Sequence, residues 1–333
     1  MTLKKRIAIT LPAGPYIADT IARLQWAEDN GIRDAWFSDS GAPDTLTQIA
    51  AVGHHTQKIR IGVAVTPVYT RSPSVLAASA NVISQVIPGR FVLGLGSSSQ
   101  TIMGQWNGIP LVKPLTRVKE TAQLVRQMLK GEKTDFQGET LFSRGYRQTP
   151  VENPPPIYIG ALRPKMIEMA SEVGDGVIFN LWPQGALPKM MEALKRGAQN
   201  AGKNWQDIEV VNRAMVLCTD DKAMGREIFR AAFGPYYATP VYNKFLAWAG
   251  YEVAAKTIED GWAEKNREKT AGALTDELID EIAIIGNEDE IRARIQADAD
   301  GGVHTHIIAP MAATAEDLER TYNAFTAANF QFR

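Results

Sequence analysis

The sequence predicts an α/β barrel, in which eight parallel strands alternate with helices in a single domain. Short apolar runs rich in β-branched residues alternate along the chain with longer amphipathic stretches, a rhythm that favours a parallel sheet. The strand runs are apolar throughout, as expected when both faces of a sheet are covered. The competing architecture is an open doubly wound sheet. Leu11-Pro12-Ala13-Gly14 follows the first strand in place of a Gly-x-Gly-x-x-Gly fingerprint, which argues against that alternative.

Each predicted strand is a short apolar run bounded by turn residues. In chain order the strands are residues 7–11, 34–37, 59–65, 91–95, 156–159, 176–179, 208–217 and 303–309. Helices are predicted at 16–29, 43–56, 73–86, 115–129, 164–173, 187–201 and 318–328. Gly31 ends the first helix, and Pro73 and Pro164 occupy the first position of two others, where a proline is tolerated.

Residues 220–285 interrupt the alternation before the last strand. Helical patterns at 222–233, 241–249, 253–265 and 275–282 follow one another there without a strand between them. A long insertion in a barrel commonly covers the site or forms an interface. We therefore predict one domain over residues 1–333, with 220–285 as a helical insertion over the substrate pocket.

Composition excludes several classes of protein. Apolar residues make up 45 % and charged residues 22 %, and the net charge of −1 gives no electrostatic footprint for nucleic acid or an anionic membrane. No segment approaches the roughly 20 apolar residues of a membrane span, and no signal peptide is evident, so a cytoplasmic enzyme is expected. Cys218 lies in an apolar run and is expected to be a buried, inert thiol. His304 and His306 point the same way but lack a third ligand, so no metal site is predicted.

The carboxyl ends of the strands indicate where chemistry takes place, because active sites of such barrels lie at that face. Asp39 follows the second strand and is a candidate acid, base or hydrogen-bond acceptor, or alternatively the cap of the next helix. The run 94–99, Gly-Leu-Gly-Ser-Ser-Ser, suits a planar ring or a phosphate tail, although such runs also form plain turns. Arg163 precedes a helix start that attracts anions, and it is equally compatible with a solvated arginine.

Four stretches carry a resemblance to a known family. They are AWFSD at 35–39, TP through RSP at 66–73, GRFVLGLG at 89–96 and PIYIGA at 156–161. Together, in this order and over nearly the whole chain, they resemble the luciferase-like monooxygenase and reductase family, whose fold is the TIM barrel. Residues 97–108, which include Trp106-Asn107-Gly108, and Arg117 look most like the branch that uses coenzyme F420, an 8-hydroxy-5-deazaflavin.

The resemblance implies a cofactor at the barrel mouth, coenzyme F420 or alternatively FMN. Asp39 would meet the ring or the substrate, and Ala64, Val65 and Thr66 would form a bulge behind the ring, often with a non-proline cis peptide. The other implied cofactor contacts are Pro12, Ser97, Ser98, Ser99, Gly160, Ala161, Leu162, Arg163 and Asn180. The aromatic residues expected at the substrate are Trp182, Tyr236, Tyr237 and Tyr242.

Two positions depart from the sugar-phosphate dehydrogenases of that branch. Those enzymes carry a histidine after the aspartate and a glutamate in the fourth loop, where this chain has Ser40 and Ser99. Oxidation of a sugar hydroxyl needs a nearby base, so that substrate is not expected. These two serines stand at the positions that carry the acid and base in those enzymes, so we predict Asp39, Ser40 and Ser99 as the catalytic positions.

Three functions remain open at this stage. We expect hydride transfer between F420 and a small organic substrate. The alternatives are an FMN-dependent monooxygenase that uses oxygen, and a cofactor-binding protein without catalytic activity. Relatives pair through barrel helices, so the resemblance also implies a homodimer.

Overall fold

The computed structural model describes residues 3–39, 41 and 43–333. Ser40, one of the predicted catalytic positions, lies outside these residues. The twelve strands of the described chain are β1 (Arg6–Leu11), β2 (Asp34–Phe37), β3 (Arg60–Val63), β4 (Thr66–Pro67), β5 (Phe91–Gly96), β6 (Asp135–Gln137), β7 (Phe142–Arg144), β8 (Ile157–Gly160), β9 (Gly176–Asn180), β10 (Glu209–Cys218), β11 (Ile284–Gly286) and β12 (Thr305–Pro310).

Eight of these strands close into a parallel barrel in the order β1-β2-β3-β5-β8-β9-β10-β12, and β12 returns to β1. The register is continuous around the ring; for example, Ala8 lies opposite Asp34 and Ile307. The predicted barrel is therefore confirmed. Two short strands extend it, because β4 pairs with β5 and β11 pairs with β10.

Helices surround the barrel. Those of the described residues are α1 (Ile17–Asp29), α2 (Thr45–Val52), α3 (Pro73–Val86), α4 (Pro114–Leu129), α5 (Pro164–Val173), α6 (Leu187–Asn200), α7 (Lys222–Tyr237), α8 (Pro240–Ala249), α9 (Glu252–Ala263), α10 (Arg267–Gly272), α11 (Asp276–Ile282), α12 (Glu288–Asp300) and α13 (Ala315–Asn323). Helices α7 to α11 occupy the segment that breaks the sequence rhythm. None of the described helices is long and apolar enough to cross a membrane.

Several elements differ from the sequence prediction. The predicted third strand, 59–65, ends at Val63, and the chain bulges before it resumes as β4. The predicted second helix, 43–56, is shortened to α2, and His54 and His55 lie in a short 3-10 turn after it. The β6–β7 hairpin, α10, β11 and α12 were not predicted. Helix α12 has a capping box at Asn287 and Glu290 that signals its start, but its faces are too highly charged to show a clear apolar stripe.

The barrel interior is filled in layers by side chains that alternate along each strand. The middle layer is one apolar cluster with members on seven barrel strands: Ala8, Trp36, Val92, Tyr158, Ile178, Val211 and Ile307. On the remaining strand, a Cβ added at Gly62 would stand 2.5 Å from the Trp36 ring, so glycine leaves the space that the indole fills.

The layer at the amino ends of the strands is an ion network. Arg60 donates to both carboxylate oxygens of Glu209, at 2.6 and 2.9 Å, and its Nε donates to Asp34 at 2.9 Å. Tyr158 and Thr305 donate to the same glutamate at 2.7 and 2.5 Å. Burial acts to raise the pKa of Glu209, but these bonds outweigh it and hold that pKa at about 2. The network is a structural plug at the face opposite the predicted site.

Candidate active site

The mouth of the barrel is lined by residues one layer above the apolar middle layer. Because Ile178 and Val211 face the interior, residues two positions further along each strand face the same side. These are Asn180, the last residue of β9, and Arg213 on β10, which are paired in the sheet register. The two residues are therefore neighbours where the strands open toward the helical segment.

A bulge between β3 and β4 forms the opposite wall. The peptide between Ala64 and Val65 is cis, at the position where the resemblance implied such a bond. The Val65 side chain lies across the ends of β5 and β8, where a Cβ added at Gly96 would overlap it and one at Gly160 would approach it at 3.2 Å. Gly94, two residues before Gly96 on β5, also has to be a glycine, because a Cβ at this position would overlap the Val63 carbonyl oxygen. Glycines on two strands thus make room for the bulge.

Asp39 is held at the edge of this wall by a buried ion pair. Its Oδ2 accepts from Nη1 of Arg71 at 2.9 Å, and its side chain is only 7 % exposed. Burial raises the pKa of Asp39 above its ordinary value, against the opposing effects of the Arg71 charge and the neighbouring Thr66 hydroxyl. The cap of α2 is Asp44, whose carboxylate accepts from Thr47 N at 2.8 Å, so Asp39 does not have the capping role considered above.

The three serines after β5 begin a turn and are half-buried. Ser98 adopts a left-handed conformation with φ of 61°. The Ser99 hydroxyl accepts from Ile102 N at 3.2 Å, and its carbonyl accepts from Met103 N at 2.9 Å, which starts the π-helical turn Thr101–Trp106. Ser97 makes only a long 3.4 Å bond to the next carbonyl. Within the described chain the Ser99 hydroxyl only accepts, so its hydrogen is left for another acceptor.

The loop after β8 leads directly into α5. Ala161 N donates to Ile178 O at 3.0 Å and ties the loop to β9, while Leu162 packs on the core. Arg163 is exposed at the cap position, with no side-chain cap bond, and Pro164 follows as the first helical residue. Pro164 has no N–H, and Met166 N already donates to Arg163 O at 2.9 Å, so the dipole of this ten-residue helix and the Arg163 charge are what suit an anion here.

The aromatic residues predicted at the substrate occupy different places. Tyr242 on α8 accepts from Asn180 Nδ2 at 2.8 Å and so reaches the mouth. Tyr236 lies close to Tyr242, with ring centroids 5.9 Å apart, and is half exposed. Tyr237 is fully buried among the insertion helices and donates to Leu181 O at 2.9 Å. Trp182 is buried in the outer core, where its indole N–H donates to Asn212 at 2.8 Å.

Pro12, the remaining predicted cofactor contact, is half-buried directly after β1 in a cis peptide with Leu11. Sequence reasoning missed Arg71, which orders Asp39, and Arg213 in the mouth. The signal for Arg213 was present, because it is the one basic residue within the apolar strand Glu209–Cys218. A charge inside such a run requires an explanation.

The histidines near β12 make structural contacts. Nδ1 of His304 accepts from Val210 N at 3.1 Å, and His306 is fully buried against Phe332. In the described part of the chain, no group of three His, Cys, Asp or Glu side chains is arranged to hold a metal ion. Cys218 is a buried free thiol, and burial raises its pKa to about 11.

Comparison with known families agrees with this architecture. Residues 1–305 match the family described as luciferase-like monooxygenase. The chain belongs to this family. Among its relatives is 5,10-methylenetetrahydromethanopterin reductase of Methanolobus tindarius, 29 % identical over 85 % of this chain and 87 % of the relative. The F420-dependent glucose-6-phosphate dehydrogenase of Mycolicibacterium fortuitum is 31 % identical over 62 % of this chain and 63 % of that enzyme.

Solved structures show the same fold. The coenzyme F420 dependent tetrahydromethanopterin reductase from Methanopyrus kandleri superposes with a TM-score of 0.82 over 98 % of this chain and all of that chain, at 20 % identity. The oxygenating constituent of 3,6-diketocamphane monooxygenase from Pseudomonas putida, in complex with FMN, superposes with a TM-score of 0.69 at 16 % identity and covers both chains completely. The predicted family and fold are both confirmed.

Proposed function

We propose that this chain is a coenzyme F420-dependent oxidoreductase that transfers a hydride between the deazaflavin and a small organic substrate. The observation that carries the proposal is the wall formed by Val65 over Gly96 and Gly160, opposite the polar pair Asn180 and Arg213. Its family membership and its similarity to enzymes named as F420-dependent support the choice of cofactor.

The residues present at the mouth fit a planar ring with a phosphate-bearing tail. Val65 would offer an apolar surface to such a ring, and Gly160 beside it carries no side chain that would take up the space. The amino end of α5, with Arg163 beside it, provides the positive end of a helix dipole and a positive side chain for a phosphate. Ser97, Ser98 and Ser99 follow β5, the strand paired with β8, and provide small, half-buried polar groups.

When bound, the deazaflavin supplies the carbon that accepts or gives up the hydride; the protein supplies binding, orientation and a dry site. Asp39, fixed by Arg71, presents a carboxylate at the edge of the wall for a hydrogen bond to ring or substrate. Ser99 offers its free hydroxyl hydrogen from the facing loop. Helices α7 to α11 act as the roof, since Tyr242 contacts Asn180 directly. Excluding water in this way strengthens each polar contact inside.

The test is a titration of the purified protein with F420 and with FMN, followed by the fluorescence of each cofactor. We expect saturable binding of F420 that is at least tenfold tighter than that of FMN. Tighter binding of FMN contradicts the proposed cofactor and favours the FMN-dependent monooxygenase, an alternative to which the family description and the FMN-bound structural neighbour point. Oxygen uptake with reduced FMN then identifies that alternative, and binding of F420 with no oxidation of the reduced form by any substrate tested favours the non-catalytic one.

We also propose that two copies pair through α3. Val75 and Val82 lie seven residues apart on one face of this helix and are 49 % and 53 % exposed. Light scattering after size exclusion should give a dimer for the wild type and a monomer for the double variant Val75→Glu, Val82→Glu. The matched control is Val253→Glu on α9, a valine 82 % exposed, which should leave the mass unchanged. A monomeric wild type contradicts the proposal.

A further inference from the structure

Arg213 places a positive charge inside the barrel mouth. It stands on β10 between Val211, in the apolar middle layer, and Met215, in the apolar cluster formed with the insertion helices. Its Nη1 lies 3.7 Å from the Met215 sulfur, so the side chain extends toward the open end of the barrel. The guanidinium thus stands between two apolar layers, in a residue that is partly exposed at the mouth.

No carboxylate neutralises this charge among the residues that the structure describes. Arg60 pairs with Asp34 and Glu209, and Arg71 pairs with Asp39. Arg90 and Arg117, which have no carboxylate partner among the described residues, donate to backbone carbonyls instead. With the described residues Arg213 forms no ion pair, and its Nε is buried without a hydrogen-bond acceptor from them. The groups that act on it electrostatically are the hydroxyls of Tyr242, Tyr236 and Tyr322, and none of these is a carboxylate.

A buried and unpaired charge is costly, and native proteins keep one only when something compensates for it. Burial lowers the pKa of Arg213, but a guanidinium does not lose its proton in a protein. The neutralising group must therefore come from outside the described chain. Arg213 also presents planar, fork-shaped donors, which match a carboxylate in geometry as well as charge.

Beside Arg213, Asn180 has a second buried polar atom that lacks a hydrogen-bond partner among the described residues. The two residues are register partners on adjacent strands. Asn180 Nδ2 bonds to Tyr242, whereas its Oδ1 is buried and no described residue donates to it. An acceptor on the ligand for Arg213 and a donor next to it for Asn180 would satisfy both residues at once. A carboxylic acid that carries a neighbouring hydroxyl or amine has this arrangement.

We propose that the substrate is a small organic acid and that Arg213 binds its carboxylate, with Asn180 beside it. This inference rests on the proposed function only in treating the ligand as the substrate of the hydride transfer. The anion must enter the mouth between the Val65 wall and the α7–α11 roof, so Arg213 selects substrates by charge. A neutral compound of the same shape would leave the guanidinium unpaired and is rejected for that reason.

The experiment compares carboxylates with their neutral amides. Glycolate, lactate and benzoate are titrated into the purified protein by calorimetry, alongside glycolamide, lactamide and benzamide, in a low-chloride buffer of fixed ionic strength. We expect at least one acid to bind tenfold or more tightly than its amide. In Arg213→Met the preference should vanish, because the charge is removed and the volume is retained. Arg213→Lys should keep part of it.

Controls separate a binding role from a structural one. Arg144→Met, at an exposed arginine on β7, should keep the preference for acids. The melting temperature of Arg213→Met should equal or exceed that of the wild type, since an unpaired buried charge has been removed; a lower value would indicate a structural role and overturn the proposal. Absence of a preference in the wild type, or its survival in Arg213→Met, would also overturn it.

A parallel titration with F420 distinguishes the cofactor from the substrate. The affinity of Arg213→Met for F420 should stay within threefold of that of the wild type. A tenfold loss would mean that the guanidinium serves the cofactor and would overturn the inference. If the wild type binds no F420 but still prefers acids, the proposed function fails while the anion site stands.

Discussion

Asn180 Nδ2 donates to the Tyr242 hydroxyl at 2.8 Å, and this bond joins the end of a barrel strand to a helix of the insertion. The contact is polar, lies beside Arg213 in the sheet register, and is adjacent to the apolar cluster that holds the insertion in place. The insertion therefore meets the barrel mouth through a specific bond as well as through nonspecific packing.

Removing this bond should loosen α8 locally. In Tyr242→Phe, we expect the amides of α8 to exchange about fivefold faster, since a buried hydrogen bond contributes about 1 kcal/mol. Hydrogen exchange followed by mass spectrometry measures this. Tyr236→Phe, which alters a neighbouring half-exposed ring, is the control and should exchange like the wild type. Equal rates in both variants would show that the bond does not hold the helix.

Asp39 and Asp44 share Arg71 but have different surroundings. Asp39→Asn should weaken F420 binding about tenfold, since it removes a buried carboxylate at the proposed ring site while keeping its shape. Asp44→Asn keeps a good cap for α2 and should leave the affinity unchanged. Fluorescence titration measures both. A larger loss of F420 affinity in Asp44→Asn than in Asp39→Asn would contradict the proposed binding role of Asp39.

Gly94 should not tolerate a side chain. In Gly94→Ala the new Cβ would overlap the Val63 carbonyl oxygen within the barrel wall, where backbone atoms cannot move aside cheaply. We expect little soluble protein, or a melting temperature at least 10 °C lower. Gly272→Ala, in α10 with open space around it, is the matched control and should fold normally. Normal folding of both variants would mean that the bulge adjusts.

The Glu209 network should make stability depend on pH in the acid range. The folded pKa of about 2 lies below the ordinary value of 4.5, so the carboxylate contributes stability above pH 4.5 that is lost as the pH falls toward 2. Glu209→Gln should lower the free energy of unfolding by about 3 kcal/mol at pH 7 and flatten that acid dependence. Urea denaturation measures both effects. Glu264→Gln, at an exposed pair, should cost less than about 0.5 kcal/mol.

His306 should make the free energy of unfolding depend on pH in a less acidic range, which begins at about pH 6.5. Burial lowers its folded pKa to about 3 from 6.5, so the unfolded chain takes up a proton in this window and the folded chain does not. Stability therefore falls as the pH drops below 6.5, by up to about 1.4 kcal/mol per unit from this residue. His306→Leu should reduce the slope measured by urea denaturation between pH 6.5 and 5. His54→Leu, at an exposed position, should not reduce it.

Local patterns were sufficient for the regular parts of the fold. Helices α3 and α5 lie at the predicted residues because a proline at the first position and an apolar stripe mark each one within its own sequence. The β6–β7 hairpin gave no such signal, since its strands have three residues each and are largely exposed. Their pairing is stabilised by contacts across the turn.

The residues of the candidate site also fall into two groups, those that the sequence predicted and those that it did not. Asp39, the serine loop and the start of α5 were found because strand ends define the mouth of a barrel, and strand ends are visible in the sequence. Arg71 and Arg213 were not found, since their importance depends on which partner stands nearby: a carboxylate for Arg71, and none for Arg213 among the described residues.

The sequence by itself determined the barrel and the family, because the alternation of strands and helices and the strand-end motifs are local and ordered along the chain. Only the tertiary structure decided which side chains meet in the mouth. The pairing of β9 with β10 places Asn180 beside Arg213, and the insertion brings the Tyr242 hydroxyl within hydrogen-bond distance of Asn180. That no carboxylate of the described residues pairs with Arg213 is a property of everything packed around it, and a linear sequence does not contain that information.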